Sequence, residues 1–221
     1  MTRLYALDLF CGAGGASAGL AAAGFDVTGV DIAEQPNYPY HFEQANVFDR
    51  GTTPPLNPGR FDFIWASPPC QGHTAYKRRP NHVRAVDTDG MIAKVRTMLL
   101  NSGVPYVIEN VPGAPLRNAI TLCGSMFGLN VRRHRCFESS FYMLQPACSH
   151  ERQRGDFPQA TNRKNRRKTC EIGVWRIPLD VQHRAMGGLE WMTREELSEA
   201  IPPAYSQWIA EQWLRSRADE V

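Results

Sequence analysis

The chain has 221 residues, 43% hydrophobic and 21% charged, with 25 Lys and Arg against 22 Asp and Glu. That balance can bury a core, which excludes a wholly disordered chain, and the length suits one domain with an appendage. No apolar run approaches the roughly 20 residues of a membrane helix, and Asp8 interrupts the only stretch that could serve as a signal peptide.

Residues 4–10 (LYALDLF) read as a buried strand, 11–15 as a Gly-rich turn and 16–23 as a helix stopped by Gly24. Residues 25–32 form a second strand that ends in an acid, Asp31. A short irregular link covers 36–42, a short third strand 45–48 and a Pro-rich loop 52–59. Residues 61–66 read as a strand that stops at the SPPCQG segment, 67–72. A polar, basic loop is expected at 75–89, a helix at 91–101 and strands at 104–111 and 131–138, with a strand or turn at 120–128 between them. Over 139–182 the periodicity fades, and helices return at 192–197 and 204–215, with Thr193 and Glu196 as a capping box. This alternation predicts an α/β fold built on a doubly wound, mostly parallel sheet. Ligands of such sheets sit beyond the carboxyl ends of the strands.

The chemically active residues fall at those ends. Gly12, Gly14 and Gly15 after the first strand let a ligand approach the backbone or simply make a tight turn. Asp31 is placed to accept from ribose hydroxyls, and Ser17 stands where a dinucleotide fingerprint would need Gly. Two prolines stiffen the loop that carries Cys70, either a nucleophile activated by nearby positive charge or a small buried hydrophobe. Glu109 ends an apolar strand, where a carboxylate is a proton donor, a substrate partner or one half of a salt bridge. Arg133 and Arg135 alternate on an expected strand and would share a face, for anion clamping or for solvent. The six cysteines include no CxxC pair and are read as reduced thiols. Cys148, His150 and Cys170, with Cys136, match no strong metal-ligand spacing, so no metal is expected.

Taken in order, DLFCGAGG at 8–15, SPPCQG at 67–72, ENV at 109–111 and Arg133-x-Arg135 resemble the motifs of the C5-cytosine DNA methyltransferase family. The resemblance implies a Rossmann-like methyltransferase fold and S-adenosylmethionine as cofactor. Its site would comprise Phe10 against the adenine, Gly12 and Gly14 near the methionine part, and Asp31 on the ribose. Ile32, Asn46, Val47 and Pro68 would complete the cofactor side. Cys70 would attack C6 of cytosine, Glu109 would hold N3 and the exocyclic amine, and Arg133 and Arg135 would hold the base and its surroundings. Ser67, Gln71 and Asn110 would line the substrate side. Three departures from the family pattern stand out: Asn46 in place of Asp, Val131 in place of Gln, and Ser198–Glu199 in place of Gly-Asn before Ile201–Pro202.

The division that follows is a catalytic and cofactor-binding core over 1–138, a small basic recognition region over 139–182 and a helical return over 183–221. The recognition region holds eight basic residues against four acidic ones, an excess greater than that of the whole chain. Arg163, Lys164, Arg166, Arg167 and Lys168 concentrate that charge and suit contacts to DNA phosphates, which give affinity without sequence information. The expected partner is cytosine-containing DNA, with a monomer favoured, no membrane and a cytoplasmic location. The alternatives are the same chemistry on RNA or a free cytosine nucleotide, and a non-catalytic DNA- or cofactor-binding module.

Overall fold

The computed structural model describes residues 3–49, 60–70, 88–158 and 166–218. Residues 6–9 of the first strand, β1 (Leu4–Leu9), are wholly buried, as a strand covered on both faces must be. The strand ends where Phe10 turns to a positive φ of 59°. Gly14, at φ 90°, then caps α1 (Gly15–Ala22). β2 (Phe25–Asp31) and β3 (His41–Gln44) follow, then β4 (Phe63–Ala66), α2 (Thr88–Ser102), β5 (Tyr106–Asn110), β6 (Ile120–Leu122) and β7 (Arg135–Ser139). The strand order is β3-β2-β1-β4-β5-β7-β6. β1 to β5 run parallel, and β7 is antiparallel to both β5 and β6. Beyond the sheet lie a two-residue ribbon of β8 (Phe157–Pro158) and β9 (Arg166–Arg167), then α3 (Leu179–Met186), α4 (Arg194–Glu199) and α5 (Pro203–Ala218).

Each sheet face has its own core. Ala6, Phe25, Phe63, Trp65 and Phe137 pack with Leu20 of α1 and Tyr205, Ile209 and Trp213 of α5. Leu7, Leu9, Ile64 and Ile108 pack with Val95 and Leu99 of α2. A third cluster joins Ala13 of the Gly-rich turn to Val131, Cys170, Ile177, Met186 and Leu197. Among the described residues, no helix is long and apolar enough to cross a membrane.

Two expected strands move. The third strand is His41–Gln44, and the expected segment 45–48 lies past its end. Only Phe42 of this edge strand is apolar, too little for a strand signal in the sequence. The buried Ala45 and Val47 beyond it line the core from a turn, closed by Ala45 N donating to Asp31 O at 2.9 Å. The expected strand over 131–138 begins only at Arg135. Gln153 Nε2 donates to Leu129 O at 3.0 Å and to Val131 O at 2.9 Å, so a side chain takes the place of a strand partner there. Arg133 therefore precedes β7 and does not alternate along it with Arg135. The helix expected at 91–101 starts earlier, at Thr88, within the segment expected as a loop at 75–89; residues 75–87 of that loop and all of 52–59 lie outside the described residues.

Candidate active site

The cofactor-side residues gather at the carboxyl ends of β1, β2 and β3. Gly12 has φ +47° and nothing within 4 Å of where a Cβ would sit, so its backbone faces open space. Gly12 N donates to Asp31 Oδ2 at 3.1 Å and Ala33 N to Oδ1 at 3.0 Å. Both carboxylate oxygens are thereby oriented and keep lone pairs for a ligand. Phe10 and Phe48 stand with ring centroids 6.2 Å apart and planes 60° apart. Ile32 is 68% exposed and Phe48 39%. These apolar side chains open to solvent above polar groups, a combination that suits an adenosine. Asn46 Oδ1 accepts from Phe48 N at 3.1 Å, an Asx turn that orients the side chain, and Val47 is buried beneath it. Gly14 lies against the Tyr38 ring, where a Cβ would meet it at 3.0 Å.

The substrate-side residues stand at the ends of β4 and β5. Asn110 Nδ2 donates to Pro68 O at 2.9 Å, and Asn110 Oδ1 accepts from Val111 N at 2.9 Å. Asn110 is buried, and its amide latches the Cys70 loop to β5. Ser67 Oγ accepts from Trp65 Nε1 at 2.9 Å, and its hydroxyl also bonds Glu109. Arg135 Nε meets Glu109 Oε1 at 3.1 Å. Burial holds the Glu109 carboxyl above its ordinary range, against the pull of Arg135, Ser67 and Arg133. Burial, and next the Glu109 charge, push the Cys70 thiol up, while Arg135 pulls it down. The positive charge of Arg135 is thus outweighed at Cys70 by burial and the Glu109 charge. Burial and Arg135 both disfavour the Arg133 guanidinium, which still remains protonated as arginines do. Its Nη2 donates to Ser198 O at 2.5 Å, and its buried Nε has no partner among the described residues.

The C-terminal segment closes over this site in spite of its missing Gly-Asn pair. A Cβ on Gly15 would meet Ile201 O at 2.7 Å. Trp191 Nε1 donates to Ala13 O at 2.8 Å. Thr193 caps α4 with Glu196 as expected, and Glu196 also receives Asn37 Nδ2 at 3.1 Å on each oxygen. Glu199 is close enough to Cys70 to act on its thiol, a proximity that sequence distance hides.

Gln71, Arg163 and Lys164 lie outside the described residues, and of Arg166 and Arg167 only the backbone in β9 is described. Lys168 is exposed. With Val131–Arg133 and Cys170–Ile172 it lines a cleft of about 690 Å³ that leads from Arg133. The cysteine and histidine set weighed in the sequence is not the set that the fold assembles. Cys136 lies beside Thr121 Oγ1 at 3.5 Å, and Cys170 is buried in the third cluster. Cys148 and His150 instead meet Cys123 and His134.

A family model described as C-5 cytosine-specific DNA methylase matches residues 4–115, just over half of the chain. No curated protein matches the chain. Among solved structures, one described as a DNA modification methyltransferase encoded within an E. coli prophage superposes with a TM-score of 0.64 at 14% identity, over 96% of this chain and 99% of that one. S. pombe Dnmt2 methyltransferase gives 0.60 at 14% identity, over 95% and 98%. Entamoeba histolytica methyltransferase EhMeth gives 0.56 at 12%, over 96% and 98%. At these identities the likeness is one of fold.

Proposed function

The chain belongs to the C-5 cytosine-specific DNA methylase family and is a DNA cytosine methyltransferase; on that premise we propose that it methylates C5 of cytosine through a covalent Cys70–C6 adduct on a flipped-out base. The observation that carries this reading is the meeting of Cys70, Glu109 and Arg135 at the ends of β4 and β5, beside the Gly-rich turn of β1.

Use of S-adenosylmethionine accords with the family. The open backbone at Gly12, the carboxylate of Asp31 held by two N–H groups and the exposed Phe48 and Ile32 fit that cofactor. Phe10, Gly12, Gly14, Asp31, Ile32, Asn46, Val47 and Pro68 would hold it. When bound, it supplies an electrophilic methyl group.

The chain's own residues prepare the acceptor. C5 of cytosine is a poor nucleophile. Glu109, its carboxyl raised by burial, donates a proton at N3 and accepts from the exocyclic amine. Cys70 loses its proton and bonds to C6, which makes C5 enamine-like and able to take the methyl group. Loss of the C5 proton then restores the double bond and expels the Cys70 thiolate. Arg135 orients Glu109, and the free Nε of Arg133 faces the same region. A base inside a duplex must leave the stack to reach Cys70, at a cost of a few kcal/mol. Ser67 and Gln71 would line its path.

In this reading 139–182 is the recognition region, although α3 runs across position 182. Its basic stretch, Arg163, Lys164, Arg166, Arg167 and Lys168, would contact phosphates, and Lys168 lines the cleft beside Arg133. Five cations exceed what the single phosphate of a free nucleotide requires.

The test is nucleoside mass spectrometry of DNA and RNA from a host without its own cytosine methylation, expressing the wild type or Cys70→Ala. The expected result is 5-methyldeoxycytidine in DNA with the wild type alone, while Cys70→Ala still binds S-adenosylmethionine. Modification in RNA alone would overturn the substrate and keep the mechanism. Methylation by Cys70→Ala would overturn the mechanism.

A further inference from the structure

We propose that Cys123, His134, Cys148 and His150 bind one structural zinc ion. Their four ligand atoms all lie within 4.8 Å of one another. His150 Nε2 is 3.4 Å from Cys123 Sγ and 3.0 Å from Cys148 Sγ, and Cys148 Sγ is 3.7 Å from His134 Nε2. Around a tetrahedral zinc, with bonds of about 2.3 Å to sulfur and 2.0–2.1 Å to nitrogen, neighbouring ligand atoms stand roughly 3.3–3.8 Å apart. These three separations fall in that range or within a few tenths of an ångström of it, and the 4.8 Å bound on the other pairs is a distance that a bound ion would draw in. Both imidazoles present Nε2 to the sulfurs. Their rings stand edge to face, with centroids 5.2 Å apart and planes at 79°, so they converge on a point and do not stack.

The donor set selects the metal. Two thiolates and two imidazoles suit zinc and disfavour magnesium or calcium, which need oxygen ligands. Four protein donors close the coordination sphere, so the ion holds structure and leaves no position for a substrate. Ser125 Oγ lies 3.4 Å from Cys123 Sγ and 3.3 Å from Cys148 Sγ, so its one hydroxyl proton can be donated to either sulfur of the site. Cys148 is exposed and both histidines are half-buried, which gives the ion a way in. On binding, each thiol releases its proton to solvent as its sulfur bonds the metal.

The position gives the site a purpose. Cys123 follows β6, His134 precedes β7, and Cys148 and His150 sit on the irregular chain beyond β7. One ion would fasten that chain to the sheet edge. It would also fix the backbone between Arg133 and Arg135, the two guanidiniums beside Glu109.

The test uses the full chain, purified under reducing conditions without chelator, with metal content measured by inductively coupled plasma mass spectrometry. One zinc per chain is expected, lost in Cys148→Ser and kept in Cys136→Ser. Far-ultraviolet circular dichroism checks that the exposed Cys148→Ser variant folds. Cobalt(II) added to metal-stripped wild type is expected to give the strong visible absorption of a tetrahedral thiolate site, and the metal is expected to raise the melting temperature. A wild-type chain that neither carries zinc nor takes up cobalt would overturn the proposal. So would zinc content that is the same in wild type and Cys148→Ser, or a Cys123–Cys148 disulfide in the reduced preparation.

Discussion

Asp8 lies wholly buried in β1, with Ser17 Oγ 2.5 Å from its Oδ2 and no partner for Oδ1 among the described residues. Burial, ahead of all other causes, pushes its carboxyl up to about 7. Between the unfolded value of about 3.9 and this one, the folded chain holds a proton that the unfolded chain has lost. The contribution of Asp8 to stability is therefore full below about pH 4 and drains away as pH rises through 7, by on the order of 4 kcal/mol at the limit. Asp8→Asn should flatten that slope in urea unfolding at pH 5 and pH 8; parallel behaviour of wild type and variant would clear Asp8. The raised Cys70 thiol makes a second prediction. The kcat/KM for methylation should climb from neutral to alkaline pH as the thiolate forms, and Arg135→Ala, by removing the charge that lowers the thiol, should move that rise to higher pH. A limb that stays in place would separate Arg135 from the nucleophile. Cys70, Glu109 and Asp31 were legible because their motifs are local. The Asn110 latch, the Arg133 bond to Ser198 and the Cys123–His150 group were not, because their partners lie 42, 65 and up to 27 residues away.

At the level of elements, α1 and α5 touch backbone to backbone. A Cβ on Gly19 would meet Pro203 O at 2.0 Å and Ser206 Oγ at 2.1 Å. Ser206 Oγ also donates to Ala16 O at 2.8 Å, so the helices cannot part without breaking that bond. Gly19→Ala should cost about 2–3 kcal/mol or more, since overpacking here meets main chain and not a flexible side chain. Thermal melting would measure it, and an unchanged melting temperature would mean that the two helices slide freely. The sequence marked α1 from its small, helix-prone residues and the Gly24 stop, marked α5 as a helix over 204–215, and marked the central strands from their apolar runs. It missed β3 because a mostly polar edge strand owes its existence to the neighbour it bonds. It overextended β7 because Gln153, some 20 residues on, satisfies the carbonyls that a strand would have used.

Over the whole molecule, the parallel half of the sheet carries the residues proposed to hold the cofactor and the antiparallel β7 carries Arg135, so the candidate site lies where the two halves meet. Such a crevice is expected of an α/β sheet. Which loops would close it was not foreseeable from composition, because the closing interactions join residue 15 to residue 201 and residue 13 to residue 191. The proposed recognition region carries a prediction at this scale. Exchanging Arg163, Lys164, Arg166, Arg167 and Lys168 for Gln should weaken binding to all DNA sequences alike. It should also flatten the fall of affinity with salt, by about 0.9 in the log–log slope for each phosphate that is no longer neutralised. An unchanged slope would remove the stretch from the interface.

The seat of α5 against α1 also sets an order of events during translation. A ribosome makes the Gly-rich turn among the first residues and α5 among the last described ones. Until α5 has left the exit tunnel, Gly19 lacks the Pro203 carbonyl and the Ser206 side chain that it packs against. A nascent chain stalled near residue 200 would display its cofactor loop without the surface that braces it. Methyl-donor binding should therefore switch on abruptly once α5 has emerged, and messages cut short upstream of α5 should yield chains bound for proteolysis, not half-active enzymes.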